Sequence, residues 1–163
     1  MRAPRRFDDV LMTPPDPVAD VDADLLGRLR AWCEDGAFPA LTEPLSVTRV
    51  AATAGLDGVA CALDGSHELQ RLGRWRGLAW RLQLQARECV SSRPARRADP
   101  WDCGWWREGT LDHAEAFRPR RATLLMVRER DPSITATLLA KLQSSCRSYA
   151  NPLRVLIVES ADS

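Results

Sequence analysis

The densest concentration of chemistry in this 163-residue chain is a group of five arginines, Arg118, Arg120, Arg121, Arg128 and Arg130. Guanidinium groups stay charged and fork onto phosphate oxygens, so arginines meeting on one edge would grip a nucleic-acid backbone. A solvated rim of arginines interleaved with acids is the plainer alternative. Cys103 and His113 are the nearest pair that could act as thiol nucleophile and base. They lie in a Trp-rich stretch with no sign of an oxyanion hole, and a core cysteine with a surface histidine accounts for them better. Trp101, Trp105 and Trp106 could stack on bases, although aromatics so close to a strand more often pack a core or an interface. Zinc is not expected, because neither paired-cysteine nor paired-histidine spacing occurs.

These side chains must be placed by the elements around them. Ala122-Thr123-Leu124-Leu125-Met126-Val127 is a short apolar run bounded by arginines, which predicts a strand covered on both faces. Asp131 and Pro132 then supply a helix N-cap and a first helical residue. Ile134, Leu138, Leu142 and Cys146 recur every four residues, with Tyr149 a turn beyond, predicting a core-facing stripe that leaves Thr135, Lys141 and Arg147 off it. Asn151-Pro152 stops that helix, and Leu153 to Val158 reads as a second buried strand. Strand, helix and strand joined this tightly most simply form a right-handed crossover between parallel neighbours.

Upstream, residues 1–17 carry four prolines and no apolar period, which predicts a mobile tail. Asp20 to Cys33 reads as a helix with the stripe Val21, Leu25, Leu29 and Trp32, closed by Gly36. Leu78, Trp80, Leu82, Leu84 and Ala86 alternate with wetter residues as a strand would, and Ser91 to Pro100 reads as a linker. Residues 46–77 permit two readings. In one, Val47 to Ala54 and Asp57 to Leu63 are the helices of a winged helix-turn-helix pivoting on Gly55. In the other, Val59 to Leu63 is a strand, Asp64-Gly65 a hairpin turn and Ser66 to Leu72 the return. The predicted fold is α/β, with α+β as the alternative. It has a mixed sheet, an N-terminal helix and a C-terminal strand-helix-strand unit, divided as tail 1–17, segment 18–90, linker 91–100 and segment 101–163 of one compact domain.

Composition narrows the class. The net charge is +1, but residues 1–24 hold three Arg and six Asp, leaving 20 basic and 16 acidic residues in the body. That balance is weak support for any polyanion partner, and Lys141 is the single lysine. No segment approaches a membrane span and the N-terminus lacks an apolar secretory core, so the expected location is cytoplasmic, with no membrane partner. Five scattered cysteines fit no disulfide framework and suit a reducing compartment.

Taken together, Trp106-Arg107-Glu108, Phe117-Arg118-Pro119-Arg120, Val127-Arg128-Glu129-Arg130-Asp131, Lys141-Leu142 with Tyr149, and Leu153 to Val158 resemble the restriction-endonuclease-like domain of plasmid replication-relaxation proteins. The resemblance covers roughly residues 101–160. It implies a nuclease-type site in which an Asp and a Glu hold Mg²⁺ and a Lys activates water. It also implies a winged helix upstream. Here Arg120 stands at the place of the metal-binding Asp and Asp131 at that of the Lys, while Glu129 is retained. In an active enzyme Lys141 would have to supply the base, and Glu108, Asp112 or Glu115 the missing ligand. The resemblance therefore implies a scaffold that has lost cleavage, needs no cofactor and serves as a DNA-associated accessory or regulatory factor. The alternatives are a protein-interaction or self-assembly module and an active Mg²⁺-dependent nuclease. The nuclease comparison further expects Arg120 and Glu129 side by side on adjoining strands.

Overall fold

Apolar and β-branched runs from both halves of the sequence pair into one sheet. The computed structural model describes residues 11–16, 21–66, 79, 82 and 99–159. The strands are β1 (Met12–Thr13), β2 (Leu45–Ala51), β3 (Asp102–Trp106), β4 (Thr123–Glu129) and β5 (Leu153–Glu159), in the order β1-β3-β4-β5-β2. All neighbours are parallel except β1, which runs antiparallel to β3. Four described helices, α1 (Ala23–Glu34), α2 (Leu56–Leu63), α3 (Leu111–Ala114) and α4 (Pro132–Ser145), complete an α/β fold with a mixed sheet.

Alternation along the strands divides the core in two. Leu124, Met126, Leu156 and Val158 point to a layer shared with Leu25 and Leu29 of α1 and Val59 and Leu63 of α2. Leu125, Val127, Val155 and Ile157 point the other way, to Leu138 and Leu142 of α4, Ala114 of α3 and Phe117. Both faces of β4 and β5 are thus covered, which is why their sequences read as continuous apolar runs.

The C-terminal unit forms as its sequence predicts. The Asp131 carboxylate accepts from the backbone N–H of Ser133 at 2.8 Å and from its hydroxyl at 2.7 Å, and these bonds hold its pKa below the usual carboxylate value. The stripe of α4 is rotated, however. Thr135, Leu138, Leu142 and Ser145 are its buried residues, and Ile134 is 39% exposed. Thr135 enters the core because its hydroxyl can donate to the Asp131 carbonyl one turn back, at 3.2 Å.

Tyr149 follows α4 and donates its hydroxyl to the Leu142 carbonyl at 3.0 Å. Burial pushes its pKa from 10.0 up to about 12, with the nearby Arg118 guanidinium opposing. It is the only tyrosine, so phenolate absorbance reports it alone. The folded protein should titrate near pH 12, and the stability this group contributes should be intact below about pH 10 and lost as pH rises through 12. A native-state midpoint near 10 would contradict the packing described.

Several expectations are corrected. Residues 11–16 belong to the fold and not to a mobile tail, since Leu11 and Met12 are fully buried and β1 pairs Met12 with Trp106. Residues 1–10 and 17 lie outside the described residues. Neither reading of 46–77 holds whole: the second helix of the winged reading, Asp57 to Leu63 after Gly55, forms as α2, but the rest of that reading does not. The first helix of the winged reading is strand β2, whose β-branched Val47, Thr48 and Val50 pair along β5. The hairpin strand at 59–63 is helix α2, begun by Gly55 at φ 97°, a left-handed geometry that suits glycine. Residues 67–77 lie outside the described residues. Within the alternating stretch at 78–87 only Ala79 and Leu82 are described, and both are helical. That run holds no β-branched residue and several strong helix formers, so its two-residue period is not a sufficient signal. Residues 91–98 of the expected linker are likewise undescribed.

Helix α1 is capped by Asp22, which accepts from Asp24 and Leu25 at 3.0 Å each. Gly36 follows it at φ 62°, where an added Cβ would come within 2.8 Å of the Glu43 Cβ. Beneath this corner lies Arg154, placed by its sequence in an apolar strand and fully buried there. Its guanidinium donates to the carbonyls of Cys33 (3.1 Å), Glu43 (2.9 Å) and Asp35, satisfying acceptors that the end of a helix leaves open.

Candidate functional site

In open parallel sheets, ligand sites form at the carboxyl ends of strands where successive connections leave toward opposite faces. Here β2 leads to α2 on one face and β4 leads to α4 on the other, and the end of β5 lies between them. Glu129 and Glu159 stand directly opposite each other on β4 and β5, with Ala51 of β2 next in the row. Two carboxylates side by side repel each other unless a cation joins them. Arg49, two residues before Ala51 on the same face of β2, supplies it. Its guanidinium bonds the Glu129 carboxylate and lies 3.8 Å from that of Glu159. The Glu129 side chain is only 12% exposed, whereas those of Arg49 and Glu159 are about half exposed, so the trio forms a partly open cluster that keeps one net negative charge at the rim.

On the opposite face of the rim, Arg128 of β4 places its guanidinium carbon 4.2 Å from the ring centroid of Trp105. The Trp105 indole donates to the Asp57 carboxylate at 2.6 Å. Farther along, Arg130 and Glu108 form an exposed pair at 3.2 Å, of a kind that contributes little stability.

The five expected arginines do not meet on one edge. Arg128 and Arg130 lie at the carboxyl end of β4, while Arg118, Arg120 and Arg121 precede its first residue. Those ends are separated by about 20 Å at the usual rise of a strand. Arg120 and Glu129 are therefore not neighbours on adjoining strands, because both flank the same one. Arg118 is tied to the carbonyls of Glu115 and Phe117 at 2.7 Å and lies 6.0 Å from the Tyr149 ring centroid. Arg121 is buried against Asp102 at 3.6 Å and has no surface to offer a phosphate. Arg120 is exposed.

The other candidates disperse as well. Lys141 lies nine residues into α4, about 14 Å below the rim, and faces Asp112 of α3 at 3.8 Å. Asp131 is engaged as the α4 cap. Glu115 is exposed beyond α3. Cys103 is fully buried on the α1/α2 face, whereas His113 is exposed on α3 across the sheet, so they form no catalytic pair. Trp101 packs edge-on against Phe38 at 6.5 Å in the core, and Trp105 and Trp106 point to opposite faces, leaving no continuous stacking platform. Among the described residues no group of three His, Cys, Asp or Glu could hold a metal ion, and no helix is long and apolar enough to cross a membrane.

Arg49 and Glu159 escape sequence reasoning because their partners come from distant segments. The available signal was an arginine amid the β-branched residues Val47, Thr48 and Val50. Compared with known proteins, the chain matches no family model, no curated protein and no solved structure.

Proposed function

We propose that this chain is a DNA-associated accessory or regulatory protein that holds backbone phosphate without cutting it. The observation that carries the reading is Arg49 seated between Glu129 and Glu159. A carboxylate pair at a strand end is the start of a divalent-cation site, and here a cation of the chain's own satisfies it. A guanidinium offsets one of the two carboxylate charges but neither activates water nor polarises a phosphate as Mg²⁺ would. Exposed Arg107, Arg128 and Arg130 add positive charge along the same rim, at the ends of β3 and β4.

The test is binding of labelled duplex DNA across a salt series, with and without Mg²⁺. Three phosphate contacts give a slope of about −2.7 in log K against log salt, which weakens binding roughly 40-fold between about 50 and 200 mM. Strand cutting should be absent in Mg²⁺. No binding, or binding indifferent to salt, overturns the proposal. Mg²⁺-dependent cleavage that disappears in Glu129→Ala would replace it with the nuclease reading.

A second reading has its own support. Among the described residues no strand pairs with the outer edge of β2, and Val47 on that strand is 37% exposed. Open strand edges recruit other chains, so a protein-interaction or self-assembly role would show as a complex that survives high salt.

A further inference from the structure

The arginines of the rim are not equivalent. Arg49 and Arg130 are each engaged by carboxylates. Arg128 is exposed, has no carboxylate partner among the described residues, and is the one seated on an aromatic ring. Register explains the seat. Trp105 lies opposite Met126, so Arg128 is its diagonal neighbour two residues along on the same face. The indole is fixed in turn, since its N–H is taken by Asp57 from α2 and it packs against the apolar layer beneath.

Resting on the DNA reading above, we infer that Arg128, braced by Trp105, is the residue of the rim that grips a nucleic-acid phosphodiester. A guanidinium lying over an indole keeps its outer N–H groups available and has already lost much of its rotamer freedom. A phosphodiester presents two charged oxygens to that fork, and their bidentate geometry is one that arginine matches and lysine does not. Arg128 is the contact residue, Trp105 positions it, and Asp57 positions Trp105.

The experiment is fluorescence anisotropy with a labelled duplex over a salt series, with far-UV circular dichroism confirming that each variant folds. Arg128→Gln should weaken binding about 10-fold at low salt and reduce the magnitude of the salt slope by about one. Trp105→Leu keeps the charge. It should weaken binding about 3-fold with the slope unchanged, and Trp105→Phe, which keeps an aromatic seat, should recover most of the loss. Arg120→Gln, at the far end of β4, should bind within 2-fold of the parent. Parent-like binding by Arg128→Gln while the parent chain binds DNA overturns this assignment and leaves the DNA reading standing. Failure of the parent chain to bind removes the DNA reading itself. A poly-glutamate peptide that binds more tightly than the duplex, through Arg128, would overturn the assignment in favour of a protein carboxylate.

Discussion

Replacing Arg154 with alanine should lower the unfolding free energy by about 4 kcal/mol, the sum expected for orphaned buried acceptors and an unfilled cavity. The side chain is fully buried on β5, where burial pulls its pKa down and the nearby Glu43, Cys33 and Asp35 groups oppose that pull. Its N–H groups serve the carbonyls of Cys33, Asp35 and Glu43, so one residue ties the last turn of α1 and the approach to β2 onto the interior strand β5. Domains of this size hold about 5 to 15 kcal/mol in all, so thermal unfolding should begin roughly 10 °C lower. Arg154→Lys should recover little, because a single ammonium cannot spread over carbonyls that a planar fork reaches together. A melting temperature unchanged to within about 2 °C in Arg154→Ala would show that these bonds are dispensable.

Leu138→Ala should cost about 3 kcal/mol, within the usual range for deleting a fully buried leucine. Ile134→Ala, one turn earlier, should cost less than about 1 kcal/mol because that side chain is already 39% exposed. A stripe drawn every four residues predicts comparable losses at both positions. The structure separates them, since α4 turns Thr135, Leu138, Leu142 and Ser145 toward the sheet. Denaturant midpoints for the two variants measure the difference directly, and equal shifts would place Ile134 in the core after all.

Those two helical positions illustrate what this sequence discloses and what it withholds. The segment from β4 to β5 is legible because its cues are local: an apolar run, an Asp-Pro cap, a four-residue repeat and an Asn-Pro stop. Helix α1 is legible for the same reason. The segment from Leu45 to Leu63 is not. Among the described strands β2 lies at an edge, with charged and small residues on a half-covered surface, and its partner is the distant β5. Helix α2 is apolar nearly all round, so Val59-Ala60-Cys61-Ala62-Leu63 offers no period to separate helix from buried strand. The candidate site divides along the same line. Glu129 stands out only through the family resemblance, whereas Arg49 and Glu159 gain meaning only once β2, β4 and β5 lie side by side. The grouping of five arginines failed because proximity in sequence ignores the length of a strand, and β4 holds its two sets apart.

The placement of β5 also bears on how the chain acquires its shape. This strand lies inside the sheet, yet it is made after every other described strand, and it joins Leu45 to Leu153, 108 residues further on. Pairings of such long range are slow to nucleate. Until residues 153–159 emerge from the ribosome, β2 and β4 both present unpaired backbone to any neighbouring nascent chain. A premature stop upstream of Leu153 should therefore yield insoluble product instead of a smaller working fragment, and recovery of soluble protein from cells should depend on expression temperature and chaperone supply.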